Sequence, residues 1–383
     1  MKLEEQKKIS KGNSHLIAID IGSNSFHMLI TKIEHGALRP IDALSEKIQL
    51  GAGLHDGKLS ETSIENGLAC LSRFREMLSG LSDKNVRAVG TNTLRAAQAK
   101  KKFLEHAQQA LGFPIDIIDG HEEARLIYVG VSHSIANGEG RRLVIDIGGG
   151  STECIIGEGY ESTVVDSLYM GCVSFTNAFF EDGRITAKRM RKAITAAELE
   201  LHPIERSYQK LGWQESLGAS GTIKAIALIL TYSGWSQGGI TLEGLEKLSG
   251  NMVDAGHIQN LDLPGLQPER AAVLPGGVAI LIGIFERLGV ETMYPSPGAL
   301  REGILHELLG RIRHDDLREV SVERICERYG VDRKHALSVE RSALDLLEQT
   351  PAEWGMAGSK WEQLVGWSAR LHEVGLALRY SGY

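Results

Sequence analysis

Asp20-Ile-Gly-Ser-Asn-Ser-Phe, set behind the apolar run 16–19, returns as Asp146-Ile-Gly-Gly-Gly-Ser-Thr-Glu behind the run 143–145. One chain carries the same acidic, Gly/Ser-rich turn twice. Glycines and small hydroxyl residues let a backbone approach an anion and aim successive N–H groups at its oxygens, while an Asp at the strand end can hold a cation or water beside them. Two such turns facing each other would form a phosphate clamp, with Gly22, Ser23, Asn24 and Ser25 on one side and Gly148, Gly149, Gly150, Ser151 and Thr152 on the other. A single Asp-x-Gly-Ser reads equally well as a tight hairpin turn. The repetition of strand context, Asp position and hydroxyl placement favours phosphate binding. Neither copy fits G-x-G-x-x-G or G-x-x-x-x-G-K-[ST], which argues against a Rossmann site and a P-loop.

Working outward, residues 16–19 and 28–33 read as a hairpin around the first turn. Ile64, Leu68, Leu71, Phe74 and Leu78 recur at three- and four-residue spacing and predict a helix. Residues 86–89 read as a strand running into Gly90-Thr-Asn with a helix from Thr93. Residues 115–118 read as a strand and 122–131 as a helix. The order restarts at Leu143: strand, turn, a strand at 153–156, a helical region at 187–211, a strand ending at Leu217 and an apolar helix at 223–230. One long helix from about 269 to 288, a strand at 292–294 and a helix at 300–309 follow. This alternation predicts two similar α/β domains, 1–131 and 132–310, with a cleft between them. From Arg311 the composition shifts, and helical periods at Ile325/Tyr329, 337–347 and 364–378 predict an all-α region, 311–383, inside which the chain is expected to stop.

Bulk properties narrow the function. With 42% hydrophobic and 24% charged residues in 383, the chain can bury sizeable cores. Its net charge of −7 disfavours nucleic acid and anionic membranes as partners, so an anionic substrate must be held by local N–H groups, a few cations and metal. Cys70, Cys154, Cys172 and Cys326 are far apart with no C-x-x-C, which fits reduced thiols in a cytoplasmic protein. Residues 1–15 have no apolar h-region, and the longest uncharged apolar stretch, 274–285, falls short of the ~18 residues of a span. No transmembrane segment is expected; peripheral association with the inner face of the cell membrane is left open.

Several other residues admit two readings. Ser220, Gly221 and Thr222, in Gly218-Ala-Ser-Gly-Thr, precede an apolar helix, where free N–H groups favour an anion, or they serve a close helix–strand contact. In Asp119-Gly-His-Glu-Glu-Ala-Arg the carboxylates either offset the helix dipole or send one member into the cleft to orient water. Arg95 forms a surface ion pair or forks onto phosphate oxygens; Arg301, behind Pro297-Gly-Ala-Leu, is a weaker case. His27 reads as a core or turn residue. His372-Glu373 would be half of a metal pair, with no partner visible in the sequence.

Together, the two turns, Gly90-Thr-Asn-Thr-Leu-Arg, Gly120-His-Glu-Glu-Ala-Arg, Met170-Gly-Cys-Val-Ser-Phe, Gly218-Ala-Ser-Gly-Thr and Gly298-Ala-Leu-Arg-Glu-Gly resemble the exopolyphosphatase and guanosine pentaphosphate phosphohydrolase family over nearly the whole chain. The resemblance implies a duplicated actin-like (ribonuclease H-like) ATPase fold, with the active site between the lobes and Mg²⁺ assisting release of terminal phosphate; a monovalent cation such as K⁺ is left open. It implies that Glu123, second Glu of Glu-Glu-Ala-Arg, is the catalytic base. Asp146 and Glu153 would organise metal or water beside Asp20, and Arg95 would contact phosphate. It implies an HD-like helical domain carrying His372-Glu373 where an HD phosphohydrolase has His-Asp, so no second active site is expected. Segments 311–316 and 371–382 resemble the exopolyphosphatase branch. The leading expectation is therefore a Mg²⁺-dependent exopolyphosphatase acting on linear polyphosphate, as a cytoplasmic homodimer. The alternatives are the same chemistry on guanosine pentaphosphate (pppGpp) and an actin-like nucleotide-binding regulator with little hydrolysis.

Overall fold

The computed structural model describes residues 15–34, 37–51, 53–55, 58–78, 80–96, 100–135, 140–313, 317–350, 354, 356 and 359–377. The polar segment 1–14, residues 314–316 and the closing residues 378–383 lie outside them. The chain divides into two compact units, one ending at Leu308 and one starting at Leu309.

In the first unit, strands β1 (His15–Ile21), β2 (Ser25–Glu34) and β3 (Ala37–Lys47) precede a two-residue pair, β4 (Leu54–His55) and β5 (Lys58–Leu59). Helix α1 (Glu61–Met77), β6 (Val86–Gly90), α2 (Asn92–Ala96), α3 (Lys100–Leu111) and β7 (Ile115–Ile117) complete this half. Its sheet has the order β3-β2-β1-β6-β7, antiparallel from β1 outward through β2 and β3 and parallel from β1 through β6 to β7. Ile17, Ile19 and Ile21 from β1, Phe26 and Met28 from β2, and Leu71 and Phe74 from α1 fill its core.

Helix α4 (Gly120–Ser134) leads to β8 (Arg141–Ile147), β9 (Thr152–Glu158) and β10 (Glu161–Leu168), then α5 (Cys172–Phe180), α6 (Ala187–Leu211), β11 (Glu215–Gly218), α7 (Gly221–Tyr232) and α8 (Leu242–Ala255). Short α9 (Pro268–Ala271), α10 (Leu274–Leu288), β12 (Tyr294–Pro295) and α11 (Leu300–Arg313) follow. The second sheet, β10-β9-β8-β11-β12, repeats the order and directions of the first. Even the turn bond recurs: Gly22 N–H donates to the Ser25 carbonyl at 3.2 Å, and Gly148 N–H to that of Ser151 at 2.9 Å.

One expected element divides. The helix anticipated at 269–288 is two, because Pro275 lacks an N–H and is accommodated at the first turn of α10, where that donor would be unpaired in any case. Helix α4, which follows the first sheet in sequence, packs on β9 and β10 of the second.

The second unit holds α12 (Leu317–Arg328), α13 (Arg333–Glu348) and α14 (Ser359–Leu371), followed by a 3₁₀ turn, His372–Ala377. The helical period expected at 364–378 thus tightens into 3₁₀ at His372. Among the described residues, no helix is long and apolar enough to cross a membrane.

Candidate active site

The two duplicated turns meet. A Cβ on Gly149 would stand 2.9 Å from Ser23 Cβ, one on Gly150 2.7 Å from Asn92 Oδ1, and one on Gly171 2.4 Å from the Gly149 backbone. Glycine at these positions is what lets the loops close to this distance. Between them lies a cleft of about 240 Å³, lined by residues 22–25, by Gly148, Gly149 and Ser151, and by residues 219–222 at the start of α7. That volume suits a few phosphoryl groups and is smaller than the ~300–1,000 Å³ of pockets that enclose a whole drug-sized ligand. Ser220 has a second task, its hydroxyl accepting from the Ile223 N–H at 3.1 Å to cap α7.

Asp20, Asp146 and Glu123 all line this cleft. Glu123 arrives there through α4. Asp119 caps the helix by accepting from the Glu122 N–H at 2.8 Å, and Gly120 lies where a Cβ would be 2.5 Å from Ser167 Cβ on β10. Farther along, Gly130 and Gly303 bring α4 against α11: added Cβ atoms would fall 2.0 Å from the Ala299 carbonyl oxygen and 1.8 Å from that of Leu126. Successive helical residues point about 100° apart, so the two adjacent glutamates part company. Glu122 turns to Arg125 (2.7 Å), which also pairs with buried Glu307; Glu307 in turn holds Arg87 of β6 at 2.7 Å. Glu123 turns into the cleft, 8% exposed.

Arg95 faces Glu123. Its Nη1 donates to Glu123 Oε2 at 2.6 Å and to the Ile118 carbonyl at 2.9 Å, and it is not among the cleft-lining residues. The guanidinium thus holds the buried Glu123 carboxylate in place. Gly150, Thr152 and Glu153 also lie outside the lining. Thr152 begins β9, fully buried, its hydroxyl donating to the Met170 carbonyl at 2.6 Å, so it ties strand to loop. Glu153, 1% exposed, accepts from Ser167 Oγ at 2.8 Å. Among the described residues, Asp20, Asp146 and Glu153 do not converge into a three-ligand cage.

Burial dominates the electrostatics. Desolvation, with the nearby charge of Glu123 second, pushes the Asp20 and Asp146 carboxyls each up to about 7. Burial also raises Glu123, against the opposing pull of Arg95, and raises Glu153 well above the carboxylate range with help from Glu123 and Asp146. Asp20 Oδ1 is buried without a hydrogen-bond partner. The opposite charge comes from Lys224, Arg270 and Arg301, all lining the cleft. His27 lines it too, its imidazole held neutral, down to about 3, by burial and by Arg301 and Arg270. Sequence reasoning passed over Lys224 and Arg270. A lone lysine inside the apolar run 223–230 was a legible signal for the first. Nothing local marks Arg270, which reaches the site because Gly221 leaves room: a Cβ there would stand 2.4 Å from Arg270 Nη2.

The profile of the Ppx/GppA phosphatase family matches residues 29–312, and that of its domain III residues 317–383. The chain belongs to the Ppx/GppA phosphatase family. The phosphatase is 43% identical over 364 residues to the guanosine-5'-triphosphate,3'-diphosphate pyrophosphatase of Aeromonas hydrophila, an alignment covering 95% of this chain and 73% of that one. It is 42% identical to the protein of the same name from Vibrio cholerae, with the same coverage. Among solved structures, the Ppx-GppA enzyme of Aquifex aeolicus matches 76% of this chain and 98% of its own, at 27% identity and TM-score 0.63. An exopolyphosphatase from Cytophaga hutchinsonii shares the fold at TM-score 0.69 and 23% identity, over 77% of this chain and 97% of that one. The duplicated actin-like architecture with an appended helical domain is that of the family.

Proposed function

We propose that this phosphatase hydrolyses the terminal 5'-phosphoanhydride of guanosine pentaphosphate, releasing orthophosphate and leaving the tetraphosphate. The cleft supports the chemistry, and the naming of its 42–43% identical relatives supports the substrate over linear polyphosphate, reversing the preference drawn from the tail segments. The carrying observation is the placement of Glu123: a buried carboxylate, oriented by Arg95 at 2.6 Å, in the same cleft as both Gly/Ser turns.

The terminal phosphoryl group lies between the two turns, whose N–H groups and hydroxyls, with Lys224, Arg270 and Arg301, offset its charge. Water attacks phosphorus in line, its proton passes to Glu123, and the bond to the bridging oxygen breaks, that oxygen leaving on the nucleotide. Burial raises the proton affinity of Glu123 as a base needs, while Arg95 opposes that rise and fixes its direction.

Asp20 and Asp146 fit a divalent cation. Both are partly buried carboxyls lining the cleft, Asp20 has an orphaned oxygen, and two carboxylates suit Mg²⁺, which takes one or two and completes its shell with phosphate and water. Bound there, Mg²⁺ would neutralise charge on the phosphoryl oxygens.

Phosphate release from guanosine pentaphosphate, long polyphosphate and ATP, measured side by side in Mg²⁺, tests the substrate. The pentaphosphate should show the highest kcat/KM. A higher value for polyphosphate would restore the exopolyphosphatase reading, and no turnover of any of the three would leave a nucleotide-binding regulator.

A further inference from the structure

In the helical unit, His335 in the first turn of α13 meets His372 and Glu373, far from it in sequence, in the 3₁₀ turn after α14. His335 Nε2 stands 3.6 Å from Glu373 Oε1 and His372 Nε2 4.0 Å from the same oxygen. One ligand atom from each lies within 4.8 Å of the others, and among the described residues no other three His, Cys, Asp or Glu side chains are drawn so close. His372-Glu373 therefore has the partner that its sequence context did not reveal.

Hydrogen bonding decides which face of His372 is presented. Its Nδ1 lies 2.7 Å from the Ala369 carbonyl oxygen, which can only accept, so Nδ1 carries the proton and the neutral ring keeps its Nε2 lone pair for the group. His335 is held by its backbone, whose N–H donates to the Asp332 carboxylate at 3.1 Å. Two imidazoles and one carboxylate are the donor set of zinc-class ions, whereas Mg²⁺ and Ca²⁺ prefer oxygen throughout. Ligand atoms on a tetrahedral ion with bonds of ~2.0–2.1 Å lie about 3.4 Å apart. The 3.6 and 4.0 Å separations need close by roughly 0.2 and 0.6 Å, and the two imidazoles, within 4.8 Å of each other, must draw together as well. The His335 side chain is 56% exposed and that of Glu373 20%, which gives an ion a path in and His335 freedom to adjust.

We propose that His335, His372 and Glu373 bind one divalent transition-metal ion of the zinc class, tying the first turn of α13 to the turn after α14 and leaving a fourth coordination position open. The test uses the full chain without an affinity tag, in excess Mg²⁺ to occupy the cleft, titrated with Co²⁺ as a spectroscopic probe. One equivalent should bind with the ligand-field bands of a low-coordinate, nitrogen-containing site and be displaced by Zn²⁺. His335→Ala and Glu373→Gln should each weaken binding at least ~10-fold, and Asp146→Asn should leave it unchanged. Absent bands, bands unaltered in both helical-unit variants, or bands lost in Asp146→Asn would overturn the proposal. His335 is exposed, so its alanine variant should fold; if Glu373→Gln loses helical circular dichroism, His335→Ala alone decides.

Discussion

Replacing Asp146 by asparagine should stabilise the metal-free protein, increasingly so as pH rises. The native Asp146 carboxyl titrates at about 7 against an ordinary value of 3.8, through burial first and the charge of Glu123 second. A raised acid pKa means that the folded state holds its proton where the unfolded chain has released it. Between about pH 4 and about pH 7 the native state binds more protons, so stability falls as pH climbs through that window and levels off above it. The displacement is roughly 3 units, or about 4 kcal/mol at full effect; the partial exposure of Asp146 and the shared repulsion with Glu123 bring the expected effect to about 2–4 kcal/mol. The amide of the variant does not ionise and escapes the penalty. Urea unfolding of both proteins in chelator, from about pH 5 to about pH 8, isolates the effect as the difference between them. That difference should be small at the acid end and grow to its plateau near neutrality, and excess Mg²⁺ should shrink it by stabilising the wild type more than the variant. A difference independent of pH, or one in which the wild type is the more stable at the alkaline end without metal, would refute the electrostatic reasoning.

Other consequences are open to test. Arg95→Met should lower kcat by about 10- to 100-fold with little change in KM, and shift the acid limb of the pH–rate profile upward, since Glu123 loses the cation that opposes the rise of its proton affinity; a raised KM with unchanged kcat would instead make Arg95 a phosphate contact. Glu307→Gln leaves Arg87 and Arg125 without their shared carboxylate and should cost about 3 kcal/mol, read as a lowered urea midpoint. A midpoint within error of wild type would mean that Asp116 on β7, 3.8 Å from Arg87, and Glu122, 4.0 Å from it, suffice. Gly171→Ala puts a methyl 2.4 Å from the Gly149 backbone, which cannot yield as a side chain would, so it should part the two turns and reduce kcat/KM for phosphate release. An unchanged kcat/KM would mean that the close approach of the loops is not needed for binding.

The fold was legible where the sequence repeats itself. The second copy of Asp-x-Gly, with strands on both sides, announced the duplication, and the helix at 61–77 followed from the apolar spacing of Ile64, Leu68, Leu71, Phe74 and Leu78. Strand β3 was not legible: Ala37–Lys47 is a mostly exposed edge carrying Pro40 and charges, without alternation, and its pairing with β2 slips at Ile30/Thr31, beside the residue that cannot donate. The loops were readable because they are contiguous motifs, whereas the choice of Glu123 among the carboxylates of 119–123 came only through the family resemblance. The direction of Arg95, the Glu307 network and the cation Arg270 are products of tertiary packing, assembled from segments as far apart as β6 and α11, and no local pattern encodes them. The pairing of His335 with His372 and Glu373 is of the same kind.

Glu123→Gln, assayed with guanosine pentaphosphate, tests the assignment of the base most directly. The amide keeps the shape of the side chain and can still accept from Arg95, so the fold and nucleotide binding should survive while proton acceptance is lost. Single-turnover phosphate release should fall by ~10²- to 10⁴-fold, about 3–5 kcal/mol in the barrier, with Glu122→Gln retaining most of its rate. A folded Glu123→Gln protein that keeps more than about a third of wild-type turnover, when loss of a general base should cost at least ~100-fold, would contradict the assignment of this cleft and its base.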